Sequence, residues 1–201
     1  MATGTTTHNA YYSISNGKIC QSFKTMVEGA IERTTKTGKQ TFEKFYDYID
    51  GVITNIETRE SEYGKSWLVS LLDGETTQVL QFNYSSGYSA AFLKALPNVD
   101  LIKKVKITPK LTIEGDKKKT TVFINQGGKA CKWAFTKDNP NGMPELTQIK
   151  VKGKLTWDDS DCMAFLENMV KTDILPHLSR PASPSATSVH EMEDTEEAAP
   201  F

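Results

Sequence analysis

The chain has 201 residues, 38% of them hydrophobic, and a formal net charge of −1 at pH 7. This length predicts one domain with appendages, and no apolar run approaches the roughly 18 residues that a membrane helix needs. Residues 1–9 lack both the charged start and the apolar run of a signal peptide. We therefore expect a soluble, cytoplasmic protein without a membrane partner.

Charge is distributed unevenly along the chain. Residues 101–154 contain thirteen lysines and four acids, a net charge of +9, whereas residues 181–201 contain five acids and neither lysine nor arginine. A basic middle and an acidic end predict a polyanionic ligand and a segment that can imitate it. The three cysteines are far apart in the sequence, which argues against a disulfide framework or a structural zinc site.

Three zones of the chain differ in composition. Residues 1–40 form a polar N-terminal extension with one short strand candidate, GKICQSF. Residues 41–178 carry nearly all of the strong hydrophobic pattern and are predicted to form the folded domain. Residues 179–201 are rich in Pro, Ser, Ala and acids, and they bury too little apolar surface to offset the entropy of ordering. They are predicted to be a disordered acidic tail.

The folded domain begins with three predicted strands. The first, YIDGVITNIETRE, is long and β-branched, and Gly51 inside it marks a bulge or a sharp bend. The next two are SWLVSLLDG and TTQVLQFNY, and Asp73-Gly74 between them is a hairpin signal.

A short helix and further strands come next. Tyr88, Phe92 and Ala95 or Leu96 recur at helical spacing until Pro97 stops the run. KKVKITPKLTIEG and TTVFINQGG then flank the loop DKKK as a second hairpin, and KACKWAFTK is predicted to be a final strand.

The pattern ends in a closing helix over residues 158–175. Its acidic first turn follows Asp158, the predicted N-cap. Its predicted apolar face consists of Met163, Leu166, Val170 and Ile174.

This order of elements predicts a mainly β, OB-fold-like domain. It would be a five-stranded Greek-key barrel with a short helix between strands 3 and 4, followed by a C-terminal helix and the acidic tail. The OB-fold binds oligonucleotides and oligosaccharides. Other five-stranded barrels and α+β sheets stay open as alternatives.

The residues do not indicate an enzyme. The three histidines lie in terminal regions, and neither a phosphate-binding loop nor a GxSxG elbow is present. Asp158, Asp159 and Asp161 lie close together, but a helix N-terminus explains them better than a metal site does. We expect no catalytic residues, no metal and no cofactor.

Lysines concentrate on the predicted fourth strand, in its adjoining loop and just beyond. In a hairpin they form one basic stripe, which can neutralise phosphates and release counterions. The alternative is a solvated, charged strand face that protects an edge from aggregation. The predicted phosphate-binding residues are Lys65, Lys103, Lys104, Lys106, Lys110, Lys117, Lys118, Lys119, Lys129 and Lys132.

Aromatic residues lie among these lysines. Single-strand binders stack bases on aromatic side chains beside a basic groove, worth roughly 1–3 kcal/mol per base. Alternation does not settle whether Trp67 is stacked or buried, and Trp133 shares a strand face with Cys131 and Phe135, which favours the core. The predicted base-stacking residues are Tyr63, Trp67, Tyr84, Tyr88, Phe123 and Trp133.

The chain finishes in EMEDTEEAAPF. An aromatic ring with a terminal carboxylate can be captured by an apolar pocket with a basic rim, and the acids add electrostatic steering. The predicted partner-binding residues of this tail are Glu191, Glu193, Asp194, Glu196, Glu197, Pro200 and Phe201.

This end resembles the tip of bacterial single-stranded DNA-binding proteins, where an acidic run finishes in Ile-Pro-Phe, although Ala199 here takes the place of Ile. The tail and the order of elements are also similar to bacteriophage single-stranded DNA-binding proteins of the T7-like type. The resemblance implies sequence-independent binding of single-stranded DNA in replication, recombination and repair within a bacterial host cell. It also implies a tail that recruits a polymerase, a helicase-primase or a recombinase and that competes for the groove. A homodimer stays open.

Three other functions stay open on the sequence. An RNA-binding OB module would prefer oligo-U to oligo-dT because it contacts the 2′-hydroxyl. A structural or adaptor protein with a merely solubilising tail would show no salt-dependent binding to nucleic acid. A nuclease on an OB-like barrel would cleave the bound strand with the help of a metal.

Overall fold

The computed structural model describes residues 9–35, 38–151 and 153–178. Within these ranges the chain is mainly β, which confirms the predicted class. The strands are β1 (Ala10–Ser15), β2 (Lys18–Phe23), β3 (Ile31–Thr34), β4 (Gln40–Tyr46), β5 (Ile49–Ser61), β6 (Gly64–Asp73), β7 (Thr76–Asn83), β8 (Val105–Glu114), β9 (Lys117–Gln126), β10 (Lys129–Ala130), β11 (Thr147–Val151) and β12 (Lys154–Asp158). The α-helices are α1 (Gly87–Ala95) and α2 (Ser160–Met169).

Ten of these strands form one open sheet in the order β10-β9-β8-β5-β6-β7-β1-β2-β4-β3. The sheet is mixed, because β1 and β7 are parallel neighbours while the other neighbouring strands run antiparallel. The five predicted barrel strands are present as β5 to β9. Their hydrogen bonds do not close a five-stranded barrel, since β7 pairs with β1 on its free edge and not with β9.

Strand β5 is the long, bent strand that the sequence predicts. Its first residues, 49–51, pair with β8, and residues 52–61 pair with β6. Gly51 permits the backbones to approach closely, because a Cβ there would lie 2.9 Å from the Leu72 carbonyl oxygen. A register shift between Ile53 and Asn55 adds a bulge. One strand therefore connects the two halves of the sheet.

The predicted β6–β7 hairpin and helix α1 are confirmed. Gly74 has a φ of +60° in the turn between the strands, a conformation that favours glycine. Helix α1 begins with a capping box between Ser86 and Ser89. Phe92 is fully buried on its inner side, and Pro97 lies in the 3₁₀ turn that follows α1.

The first 40 residues contribute more to the sheet than predicted. GKICQSF is confirmed as containing β2, but β1 and β3 also lie in this zone. Strand β1 pairs with β7 of the folded domain, so this zone continues the sheet. The sequence signal was weak because β1 and β3 are short and mostly exposed or half-buried.

The turn between β8 and β9 is tighter than predicted. It consists of Gly115 and Asp116, and β9 begins at Lys117 opposite Glu114. Residues 117–119 therefore lie on a strand and not in a loop, because the two-residue turn suffices to reverse the chain.

The prediction of a final strand over KACKWAFTK is wrong. Strand β10 covers only Lys129–Ala130, after which the chain leaves the sheet. The Ala134 N–H donates to the Lys94 carbonyl of α1, and Phe135 packs edge-to-face on Phe165 of α2 at 5.4 Å between ring centres. Packing of Phe135 against the helices thus replaces strand pairing.

The closing helix begins two residues later than predicted. The predicted N-cap is wrong, because Asp158 ends β12 and Asp159 takes the N-cap position without a side-chain capping bond. Asp158 still binds the first turn, because its Oδ1 accepts hydrogen bonds from the N–H and the hydroxyl of Ser160. A π-helical turn, Val170–Ile174, and a 3₁₀ turn, Leu175–His177, follow α2. The predicted apolar face is confirmed, since its four residues are all buried. In the described ranges, no helix has both the length and the apolar character needed to cross a membrane.

The turn between β1 and β2 packs against β8 and α1. Gly17 there has a φ of +76°, and an added Cβ would lie 2.7 Å from the Leu111 backbone nitrogen. Its N–H donates to the Tyr88 hydroxyl over 3.1 Å. Because β2 and β8 are far apart in the order of the sheet, this contact shows that the sheet curls round on itself.

Replacing Gly17 with Ala should destabilise the fold more than replacing Gly74 does. Both glycines have positive φ, which costs an L-residue about 1–2 kcal/mol, but an added Cβ meets no atom within 4 Å at Gly74. We expect urea unfolding to show a loss of about 3 kcal/mol for Gly17→Ala and of about 1 kcal/mol for Gly74→Ala. Equal losses would contradict the packing of this turn against Leu111.

Candidate nucleic-acid interface

The outward side of the β8–β9 hairpin combines lysines with one aromatic ring. Ile107 and Ile124 face the core, and the residues that alternate with them point outward. The register places Phe123 opposite Thr108, and the neighbouring outward pairs are Lys106 with Asn125 and Lys110 with Thr121. We call this surface the basic face; its residues are Lys106, Thr108, Lys110, Lys119, Thr121 and Phe123.

Phe123 is the only aromatic residue of the basic face as defined. Its side chain is 44% exposed, although its strand neighbours Val122 and Ile124 are buried. Diagonal neighbours in an antiparallel pair are within reach of an aromatic ring, so Phe123 lies between Lys106 and Lys110. An exposed ring flanked by cations is suited to stack on a base whose phosphates the lysines neutralise.

Tyr48 extends the basic face towards β5. The Lys106 Nζ lies 3.5 Å from the centre of its ring, a cation–π contact, and Asp50 of β5 opposes Lys106 in the ladder. Tyr48 is about half exposed. The sequence analysis did not select it, because only the pairing of β5 with β8 brings it to Lys106. The one available signal was its position as the first residue of the predicted bent strand, YIDGVITNIETRE.

Two predicted phosphate ligands lie before β8 in ion pairs. The Lys103 Nζ is 2.6 Å from Asp100, and the Lys104 Nζ is 2.5 Å from Asp73. The hydrogen bond from Lys103 lowers the pKa of Asp100, and the hydrogen bond to Asp73 raises the pKa of Lys104. Since exposed ion pairs are weak, these lysines can exchange their carboxylates for phosphates.

The remaining predicted lysines of this region are exposed but spread out. Lys117 and Lys118 lie at the tip of the β8–β9 hairpin, where Lys117 alternates onto the same side as Lys119 and Lys118 onto the opposite side. Lys129 lies on the edge strand β10, and Lys132 follows it in the chain. The structure thus groups the β8 and β9 lysines and leaves Lys129 and Lys132 at the edge of the sheet.

Lys65 belongs to a different site, where helix α2 meets the sheet. Its Nζ is 2.6 Å from Glu167 Oε2 and 4.2 Å from the centre of the Tyr84 ring. The Tyr84 hydroxyl donates to the same oxygen over 2.6 Å, and the Lys171 Nζ is 2.8 Å from Oε1. Burial raises the pKa of Glu167, but these three donors outweigh it, so that the pKa is about 2. We call these four residues the Glu167 cluster.

Three of the predicted stacking residues contact other residues of the protein. Trp67 is 1% exposed and stacks on Tyr84 at 5.5 Å between ring centres. It lacks a free ring face and does not fit the predicted role, because β6 lies inside the sheet and both of its faces are covered. Tyr84 is held by the Glu167 cluster. Tyr88 is half-buried and accepts the hydrogen bond from Gly17.

The other predicted stacking residues are exposed but lie apart from one another. Tyr63 is 92% exposed in the β5–β6 turn. Trp133 is 45% exposed, with the Lys94 Nζ 5.8 Å from its ring centre. Of the six predicted residues, Phe123 alone lies on the basic face. The predicted tail residues, within 191–201, lie outside the described residues.

The acidic residues at the start of α2 have structural partners. Asp159 accepts a hydrogen bond from the Ser85 hydroxyl, and Asp158 binds Ser160. In the part of the chain that the structure describes, no three His, Cys, Asp or Glu side chains converge to hold a metal ion.

Comparisons of the chain with protein-family models, with curated proteins and with solved structures found no match.

Replacing Glu167 with Gln should destabilise the protein at neutral pH. The folded-state pKa of about 2 lies below the ordinary value of 4.5, so the carboxylate contributes stability that is fully present above about pH 4.5. This contribution is lost as the pH falls towards 2. We expect a loss of about 2 kcal/mol at pH 7 that shrinks steadily at lower pH.

Urea unfolding at pH 7, 4.5 and 3 measures this effect. Asp173→Asn is the matched control, because it removes one negative charge from an exposed position on the turn after α2. Its effect should stay within about 0.5 kcal/mol. A Glu167→Gln loss that is identical at pH 7 and pH 3 would contradict an ionic origin.

Proposed function

We propose that the protein binds single-stranded DNA without sequence preference and is not an enzyme. The observation that carries this proposal is Phe123, an exposed ring between Lys106 and Lys110 on the outward side of β8 and β9. Sequence-independent single-strand binders combine cations at the phosphates with aromatic rings at the bases. Tyr48 beside Lys106 supplies a second ring at the same surface.

The arrangement favours a single strand over a duplex. A base can stack on Phe123 only when it is unpaired, and a duplex keeps its bases stacked on one another. Lysine contacts to phosphates carry no sequence information, and every base has a face that can stack. Binding should therefore be strong for any single strand, dependent on salt, and weak for a duplex of equal length.

We also propose that β5 to β9 with α1 form an OB-fold-like Greek-key unit. In its support, β5 pairs with both β6 and β8, and α1 lies between β7 and β8 in the chain and packs against β9. The β1–β2 turn packs against Leu111 of β8, so β1 and β2 link β7 to β8 around the molecule. Strand faces and loops of this fold bind oligonucleotides.

The resemblance of the tail supports a role like that of bacteriophage single-stranded DNA-binding proteins. In this proposal the protein coats and protects single strands during DNA replication, recombination and repair in the cytoplasm of a bacterial host. The acidic tail recruits replication and recombination proteins. It carries five negative charges, which suits partners with a basic surface.

Replacing Phe123 with Leu should weaken binding to oligo-dT by about tenfold, because the side chain stays apolar but loses its stacking face.

Replacing either Lys106 or Lys110 with Ala should reduce the slope of log affinity against log salt concentration by about 0.7, because one phosphate contact is lost. Fluorescence anisotropy of labelled oligo-dT at several salt concentrations measures both effects.

Matched controls for this experiment lie on other strands and loops. Tyr11→Leu changes an exposed ring on β1, and Lys24→Ala removes an exposed cation after β2; both should leave binding unchanged. Failure of the unaltered protein to bind oligo-dT at low salt would overturn the proposal. A clear preference for oligo-U over oligo-dT would redirect it to RNA.

We further propose that the acidic run of residues 191–197 occupies the basic face when no DNA is bound. Deleting residues 191–201 should raise the affinity for oligo-dT severalfold at low salt, and screening should abolish the gain at high salt. Replacing the five acids with their amides is the control and should have the same effect as the deletion. A gain from the deletion alone would contradict an electrostatic mechanism.

A further inference from the structure

A two-stranded hairpin stands apart from the large sheet. It consists of β11 and β12, which in the described part of the chain pair only with each other. We call it the hairpin arm. An isolated hairpin of this size is marginally stable in water, yet Leu155 is 71% exposed and Trp157 is 62% exposed. Such exposed apolar side chains on a small arm point to a partner that covers them.

One face of the hairpin arm combines an aromatic ring with a cation. The register pairs Gln148 with Trp157 and Lys150 with Leu155, so these four side chains share a face. Ile149 and Thr156 pair on the opposite face. From Thr147 to Asp158 the sequence contains three lysines and one acid, Asp158 at the base of the arm, so the arm carries a net charge of +2. The arm is therefore a basic element with an exposed indole.

The root of the hairpin arm is tied to the segment between β7 and α1, and α1 packs against the inward side of β9. Asp159, directly after β12, accepts a hydrogen bond from the Ser85 hydroxyl. Two residues after Ser85, Gly87 packs so closely on β9 that an added Cβ would lie 2.4 Å from Thr120 Oγ1. Thr120 alternates with Lys119 and Thr121, so this contact lies on the inward side of β9, opposite the basic face. A nucleic-acid strand must therefore extend beyond the basic face to reach the arm.

We infer that the hairpin arm is a second contact for single-stranded nucleic acid. Trp157 stacks on a base, and Lys150 neutralises a phosphate of the same strand. This inference rests on the proposed function and extends it, because the arm would lengthen the segment that one molecule covers. A second copy of the chain is a poorer occupant, because a two-fold contact through this face would bring the two Lys150 side chains, on two positively charged arms, towards each other.

The test measures the affinity of the full-length protein for labelled oligo-dT of increasing length. Trp157→Leu keeps an apolar side chain but removes the stacking face, and Trp157→Phe restores a ring. We expect Trp157→Leu to bind long oligonucleotides about tenfold more weakly and short ones normally. Trp157→Phe should bind both within about twofold of the unaltered protein. Lys150→Ala should lower the salt slope by about 0.7 for the long ones only.

Thr156→Ala is the matched control, because Thr156 neighbours Trp157 on β12 but lies on the opposite face. It should change neither affinity nor salt slope. Circular dichroism and urea unfolding of all four variants check that the domain is intact. Intrinsic fluorescence adds a second readout, since long oligo-dT should quench the unaltered protein more than Trp157→Phe.

The outcomes separate this inference from the proposed function. If Trp157→Leu binds every length normally while Phe123→Leu binds weakly, the hairpin arm is not a contact and the basic face stands. If the unaltered protein binds no oligo-dT, both proposals fail. If Trp157→Leu changes the sedimentation of the free protein but not its binding, the arm contacts a second copy, and the inference is overturned.

Discussion

Strand β5 meets two different neighbours along its length, and the remaining architecture depends on this. Residues 49–51 pair with β8, whereas residues 52–61 pair with β6. Gly51 lies where one stretch gives way to the other, and any side chain there would collide with the Leu72 carbonyl. The Thr54 hydroxyl donates to the Ser70 carbonyl beside the bulge. This geometry brings the β8–β9 hairpin to the start of β5 and so places Lys106 over Tyr48.

One face of the β8–β9 hairpin packs in the core, and the opposite face forms the proposed binding surface. Its inward residues, such as Ile107 and Ile124, are fully buried and hold the hairpin to the rest of the molecule. Its outward residues contribute little to that packing, so the strand can carry lysines and an exposed ring without weakening the fold. The core fixes the direction of Phe123 and its neighbours, because successive side chains on a strand point to opposite sides. Binding and stability can therefore be altered separately.

Helix α2 anchors the hairpin arm to the sheet. Its middle is fastened to the sheet through the carboxylate of Glu167, whose partners come from β6, from the end of β7 and from the following turn. Its N-terminus directly follows β12 and is tied through Asp159 to Ser85. The hairpin arm thus projects from an anchored base, while its own strands pair only with each other in the described ranges. A ligand can order such a hairpin without changing the stability of the rest of the domain.

Elements whose signals are local could be predicted from the amino-acid sequence. The bent strand, the β6–β7 hairpin, helix α1 and the apolar face of α2 follow from periodicity and turn residues within a few positions of one another. The same reading missed β1, β3 and β4, which are short, and the hairpin arm, whose two strands alternate polar and apolar residues but are only five residues long. Composition alone located the lysine-rich region. The folded structure was needed to show that Lys106, Lys110 and Phe123 share a surface with Tyr48, and that Trp67 is buried. The physical reason is that sheet order and register depend on contacts between residues far apart in the chain, which no local pattern specifies.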